Sequence, residues 1–147
     1  MILVKNQNRQ SEQVSKFRLY LMRGLYLLTF IGLAFQAWET ILFPSETLDY
    51  ITGVAFSFWA AYATLMGLGI RYPIKMLPLL LLQLFYKATW ALGVYFPMKA
   101  ASQVTPEAES FFWICLVAVI LDVIVIPWPY VFKNYIKSFL NLKIHPE

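Results

Sequence analysis

Two ionisable side chains lie inside long apolar runs of this sequence. Lys87 falls within residues 76–96, MLPLLLLQLFYKATWALGVYF, and Asp122 within residues 111–131. Placing either charge at membrane depth costs about 2.5–3.5 kcal/mol on insertion scales, and such groups ordinarily face a bundle interior or a water-filled cavity. At a rise of 1.5 Å per residue, Lys87 lies about 16 Å from residue 76 and Asp122 about 13 Å from residue 131. Both distances start from the same side of the membrane. Consecutive antiparallel helices are ordinarily neighbours, so the spacing predicts a Lys87–Asp122 pair near the midplane. Such a pair either serves a ligand or only fixes helix register.

Polar and aromatic residues gather around that depth. Gln83, Tyr86, Lys87 and Trp90 share one face of the third run, at i, i+3, i+4 and i+7. Cys115, Ala118 and Asp122 share a face of the fourth, Trp59 and Tyr62 lie at similar depth in the second, and Thr29, Gly32, Gln36 and Glu39 form a stripe on the first. The candidate ligand-binding set is therefore Lys87, Asp122, Gln83, Tyr86, Trp90, Trp59 and Tyr62. Lys87 binds an anionic group or neutralises Asp122, and the aromatic residues wall the site. Gln36 and Glu39 approach the interface, where water can reach them. Cys115 reads as a small buried hydrophobe.

Other chemistries are excluded by composition. The chain has one cysteine, Cys115, and one histidine, His145, close to its end. That leaves no disulfide, no CxxC pair, no Ser/His/acid triad and no His/Cys zinc or haem site. There is no glycine-rich phosphate loop or HExxH motif, and no cofactor or metal is expected. The net charge of +4 is spread over short flanks of apolar segments, which is membrane topology and not a nucleic-acid footprint.

The elements that carry these residues follow from hydropathy. Of 147 residues, 60% are hydrophobic and 14% charged, against about 25% charged in a soluble domain. Four apolar runs, at about residues 19–38, 50–70, 76–96 and 111–131, each match the roughly 20 residues that a helix needs to cross a bilayer. The first run lacks a convincing cleavage site and reads as a retained signal anchor. Pro97 is expected to close the third run, residues 98–110 to form a polar loop, and Pro127 and Pro129 to kink or end the fourth. Residues 132–144 place Phe132, Ile136, Phe139 and Leu140 at helical spacing, with lysines elsewhere on the wheel, as in a short interfacial amphipathic helix. The expected fold is all-α: one domain, residues 1–147, an integral membrane four-helix transmembrane bundle with short loops.

Orientation comes from lysine and arginine. Lys5, Arg9, Lys16, Arg18 and Arg23 precede or open the first run, Arg71 and Lys75 fill the second loop, and Lys133, Lys137 and Lys143 follow the fourth. The first and third loops hold only Lys99, among five acids. Both termini are expected to be cytoplasmic. On the second run, Gly53, Ser57, Ala60, Thr64 and Gly67 form a small-residue face suited to close helix approach, within the chain or with a second copy of it.

The leading expectation is a small polytopic membrane protein, non-catalytic, binding an amphiphilic ligand, lipid or membrane partner at the midplane cluster. The alternatives are a proton- or ion-coupled carrier that uses Asp122, and a membrane-embedded lipid enzyme or accessory subunit. The lysine and arginine bias makes the first prediction. Alkaline phosphatase fused after Lys99 is expected to be active and one fused after Lys143 inactive; the reverse pattern would invert the topology.

Overall fold

A computed structural model describes residues 14–136. Among the described residues the chain is helical throughout, with no strand. Helix α1 spans Lys16–Leu42 and α2 spans Tyr50–Arg71. Helix α3 runs Leu77–Ala100, α4 runs Pro106–Val125, and α5 is the short Trp128–Val131. The first four are long and apolar enough to cross a membrane, the architecture of a small integral membrane protein. Large apolar side chains cover their outer surfaces; Phe35, Leu92 and Val54 are each about two-thirds exposed or more. For a lipid-embedded bundle those residues face a matching solvent.

Local chemistry sets the helix ends. Ser15 caps α1 by accepting the amide of Arg18, and Asp49 caps α2 by accepting the amides of Ile51 and Thr52. The fourth helix starts at Pro106, five residues before the expected start. Thr105 accepts the amide of Ala108 there, and Glu107 and Glu109 occupy the first turn. Proline at the first position and acids near the positive end of the dipole both favour a helix start.

Two prolines act differently from expectation. Pro97 does not close α3, which continues to Ala100. A wide π turn, Ala91–Tyr95, precedes it, and the amide of Phe96 bonds back five residues to Ala91. The extra residue in that turn accommodates a ring that brings no donor. The helix then ends at a left-handed Ser102, with Ser102 N–H on the Lys99 carbonyl and Gln103 N–H on that of Met98, a Schellman ending. At the other proline site, α4 stops at Val125 and not at residue 131. Ile126 turns extended, at φ −59° and ψ 127°, because a residue before proline is pushed out of the helical region. Residues Phe132–Ile136 form one more wide helical turn; the rest of the expected amphipathic tail lies outside the described residues.

The bundle is two helical hairpins, α1 on α2 and α3 on α4, which meet along α1 and α4 and more lightly along α2 and α3. Val14 and Val131 belong to one buried cluster with Met22, Tyr26, Met66, Ile74, Leu77 and Ile126. The described segment therefore begins and ends at the same, basal, end of the bundle, beside the α2–α3 turn. The main cluster of buried apolar residues lies toward that end.

The α1–α2 seam depends on two close approaches. Tyr26, fully buried, lies flat over Gly69 and donates its hydroxyl to the Pro73 carbonyl at 3.0 Å. Gly67 admits the ring of Phe30, and Thr64 accepts the Trp38 indole N–H at 3.1 Å. Part of the small-residue face thus lies against α1, while Ser57 is exposed and Gly53 borders open space. A Cβ at Gly69 would overlap the Tyr26 ring. Gly69→Ala is expected to destabilise the detergent-solubilised protein by about 1–3 kcal/mol, the usual cost of overpacking. Gly53→Ala is expected to leave thermal unfolding unchanged or slightly raised, since alanine is the better helix former.

Candidate functional site

The deepest polar group is the side-chain amide of Gln83 on α3, which is completely buried. Its oxygen accepts the hydroxyl of Thr29 on α1 at 3.0 Å and that of Tyr62 on α2 at 2.8 Å. Its nitrogen donates to both carboxylate oxygens of Asp122 on α4, at 3.2 and 3.1 Å. A carboxylate can only accept, so the amide nitrogen must face Asp122. Each of the four long helices contributes one side chain to this node, and no buried side-chain polar atom among the described residues lacks a partner.

The expected Lys87–Asp122 contact is not made: both carboxylate oxygens of Asp122 accept from Gln83, and the Lys87 ammonium has no hydrogen bond among the described residues. The reason is depth. Because α4 ends at Val125, Asp122 lies about 5 Å from the basal end of its helix, whereas Gln83 and Lys87 lie about 9 and 15 Å from the start of α3. Side chains tilt toward their own helix N-terminus, so Gln83 leans basally and Asp122 apically, and the two converge. Lys87 is left one turn above them.

Lys87 is only 8% exposed, yet its ammonium has no acceptor among the described residues and lies 5.8 Å from the centre of the Tyr86 ring. It helps wall a cleft of about 650 Å³ between α1, α3 and α4. Thr29, Gln36, Gln83, Tyr86 and Trp113 carry the other hydrogen-bonding side chains of that wall, and Leu25, Leu33, Val117 and Leu121 supply much of its apolar surface. Leu28 on α1 and Trp113, Ile114 and Val117 on α4 also border it, and all four are more than half exposed. The cleft therefore opens between α1 and α4 onto the surface that lipid would cover. Among the described residues, Lys87 is the only charged one on its wall.

Of the residues singled out from the sequence, Gln83, Tyr86 and Lys87 border the cleft, whereas Tyr62 and Asp122 lie in the node behind it. Tyr62 packs edge-on against Tyr86 at 6.3 Å. Trp90 and Trp59 stand outside the cleft, against Phe111, at 4.6 and 6.5 Å between ring centroids. Thr29, Gly32 and Gln36 do border the cleft. Their helical spacing was the available signal, and only Glu39, exposed on that stripe, falls away from the site. Phe111 carried no signal beyond hydrophobicity, and Trp113 only that of an aromatic at the outer interface. Cys115 is a buried free thiol. Among the described residues no three His, Cys, Asp or Glu side chains gather as a metal site would require.

Comparison with protein-family models, curated proteins and solved structures finds no match. The functional reading therefore stands on the geometry.

Gln83→Leu removes both hydrogen bonds that Asp122 accepts among the described residues and the oxygen shared by the Thr29 and Tyr62 hydroxyls, leaving Tyr62 only a long contact of 3.5 Å to the Leu79 carbonyl; an unsatisfied buried group costs about 1–3 kcal/mol. The expected result is a destabilised protein that regains part of its loss in the double variant Gln83→Leu/Asp122→Leu. The coupling between these positions is expected at about 0.5–3 kcal/mol, as for groups in one network. It should exceed the coupling measured between Lys87→Met and Asp122→Leu.

Proposed function

We propose that this protein is a non-catalytic, small polytopic membrane protein that binds an amphiphile in the α1–α3–α4 cleft. The ligand enters sideways from the bilayer between α1 and α4. Its polar head accepts hydrogen bonds from Lys87, and its apolar part lies along the leucines and valines of α1 and α4. The observation that carries this reading is Lys87, a residue only 8% exposed, whose ammonium has no acceptor among the described residues and is left accessible at the wall of a lipid-facing cleft. A buried charge without a partner is costly, and an occupant with an acceptor head relieves that cost. The cleft volume lies inside the roughly 300–1,000 Å³ typical of small-ligand sites. The lysine and arginine distribution supports a frame in which the basal end, with both termini, is cytoplasmic.

The carrier alternative gains no support from Asp122. A titrating carboxylate must exchange protons with the transported path, but Asp122 has no surface on the cleft and Gln83 stands between them. An enzyme would need a nucleophile or general base activated by a neighbour on the cleft wall, and that wall holds two amides, the hydroxyls of Thr29 and Tyr86, an indole N–H and one ammonium.

Native mass spectrometry of the detergent-purified protein tests the reading. A retained lipid or amphiphile is expected. It should be lost in Gly32→Phe, where the added ring has open space on the cleft wall. It should also weaken in Lys87→Met, whose thermal stability without ligand should equal or exceed that of the parent. A bare protein in all three preparations, even with added amphiphile, would refute the proposal.

A further inference from the structure

A second cavity adjoins the cleft. At the apical end, a cavity of about 490 Å³ lies between α1, α2 and the first turns of α4, bordered by Trp59, Pro106, Glu107 and Ser110. Four residues border both this cavity and the cleft: Leu33, Gln36, Phe111 and Ile114. Phe111 projects from the first turns of α4 at that shared wall. Its ring meets Trp90 of α3 edge-on at 4.6 Å and Trp59 of α2 at 6.5 Å. The two tryptophans that stand outside the cleft thus hold the ring that divides it from the apical cavity.

The mouths of cleft and cavity differ chemically. The lipid-facing mouth is bordered by Leu28, Ile114 and Val117. The apical one offers Glu107, Ser110 and Gln36, which suit water and a polar head. Among the described residues Lys87 carries the only charge on the cleft wall, so an anion is most stable beside it. Glu107 at the apical mouth repels that same anion. A cleft in the size range of single small-molecule sites suits one alkyl chain with a compact head.

We propose that the cleft and the apical cavity form one site with two mouths, divided by Phe111, for an anionic single-chain amphiphile of the fatty-carboxylate type. The tail lies toward lipid, and the head exchanges between Lys87 and the water at the apical face when the Phe111 ring swings aside. This rests on the ligand-binding reading above and adds to it a ligand class and a route to the aqueous phase.

The test uses the full chain in lipid nanodiscs, with Cys115→Ala to remove the native thiol and Ala118→Cys to place a reporter on the cleft wall. Water-soluble methanethiosulfonates of either charge are the probes, and oleate is the trial ligand. The anionic reagent is expected to react about tenfold faster than the cationic one, as local potential concentrates counter-ions in a cleft. Lys87→Met should abolish that preference, and oleate should protect the thiol. Phe111→Ala should raise both rates and Phe111→Trp lower them. Phe111→Leu, with an unchanged thermal transition, should fall between parent and alanine variant, which separates gating from misfolding. Rates indifferent to the residue at position 111, with oleate still retained in native mass spectra, would overturn the apical route and leave the lateral cleft standing. Equal retention of oleate, oleyl alcohol and oleylamine would overturn the ligand class alone. Failure to retain any of the three would overturn the ligand-binding reading itself.

Discussion

One side-chain amide ties the four helices together. Gln83 accepts from α1 and α2 and donates to α4. In water such bonds trade against equally good ones to solvent, and their net value is modest, about 1 kcal/mol each. In a lipid-embedded bundle the alternative is no partner at all. The node therefore fixes relative depth: sliding any one helix by a turn would strand a hydroxyl, an amide or a carboxylate. Apolar packing between membrane helices cannot impose that register by itself, since lipid tails compete for the same surface.

The position of the node also explains the uneven packing. Basal to it, Met22, Tyr26, Met66, Leu77 and Ile126 are almost completely buried, and the Tyr26–Pro73 hydrogen bond locks α1 to the α2–α3 turn. Apical to it, α1 and α4 stand apart and leave the cleft. Aromatic rings then rejoin α2, α3 and α4 near the top, with Trp59 and Trp90 on Phe111 and Tyr95 stacked on Phe112 at 4.0 Å. The π turn at Ala91–Tyr95 lies in that upper region, between Trp90 and Pro97. It changes the azimuth of everything that follows it on α3. Tyr95, inside that turn, is buried against α4.

How much of this the sequence discloses depends on the length scale. Four spans are legible because a helix-length apolar run matched to the bilayer thickness is rare in a water-soluble domain. The polar stripe Thr29–Gly32–Gln36 and the face Gln83–Tyr86–Lys87 are legible because helical periodicity does not need tertiary context. The partner of Asp122 is not. It turns on whether α4 ends at Val125 or at residue 131, a difference of about 9 Å in depth, and hence on what Pro127 does to Ile126. Prolines resist reading in general here. Pro106 begins a helix, Pro97 sits inside one behind a π turn, and Pro127 ends one early. In each case the outcome depends on whether a nearby backbone group is freed or satisfied, as the Thr105 cap and the Phe96–Ala91 bond show.

The contrast between Asp122 and Lys87 bears most directly on function. Both are buried, and a protein that needed only a register device already has one in the Gln83 node. Asp122 is absorbed into it, with both oxygens satisfied. Lys87 contributes no hydrogen bond to that node, touches no carboxylate among the described residues and sits at the wall of the cleft. Methionine or leucine at position 87 would fill similar space without the desolvation cost. The sequence carries a charge to which no described residue offers an acceptor, one turn above a network that is complete without it. Structural economy accounts for Gln83 and Asp122 but not for Lys87, and that difference is why the proposed ligand is placed beside it.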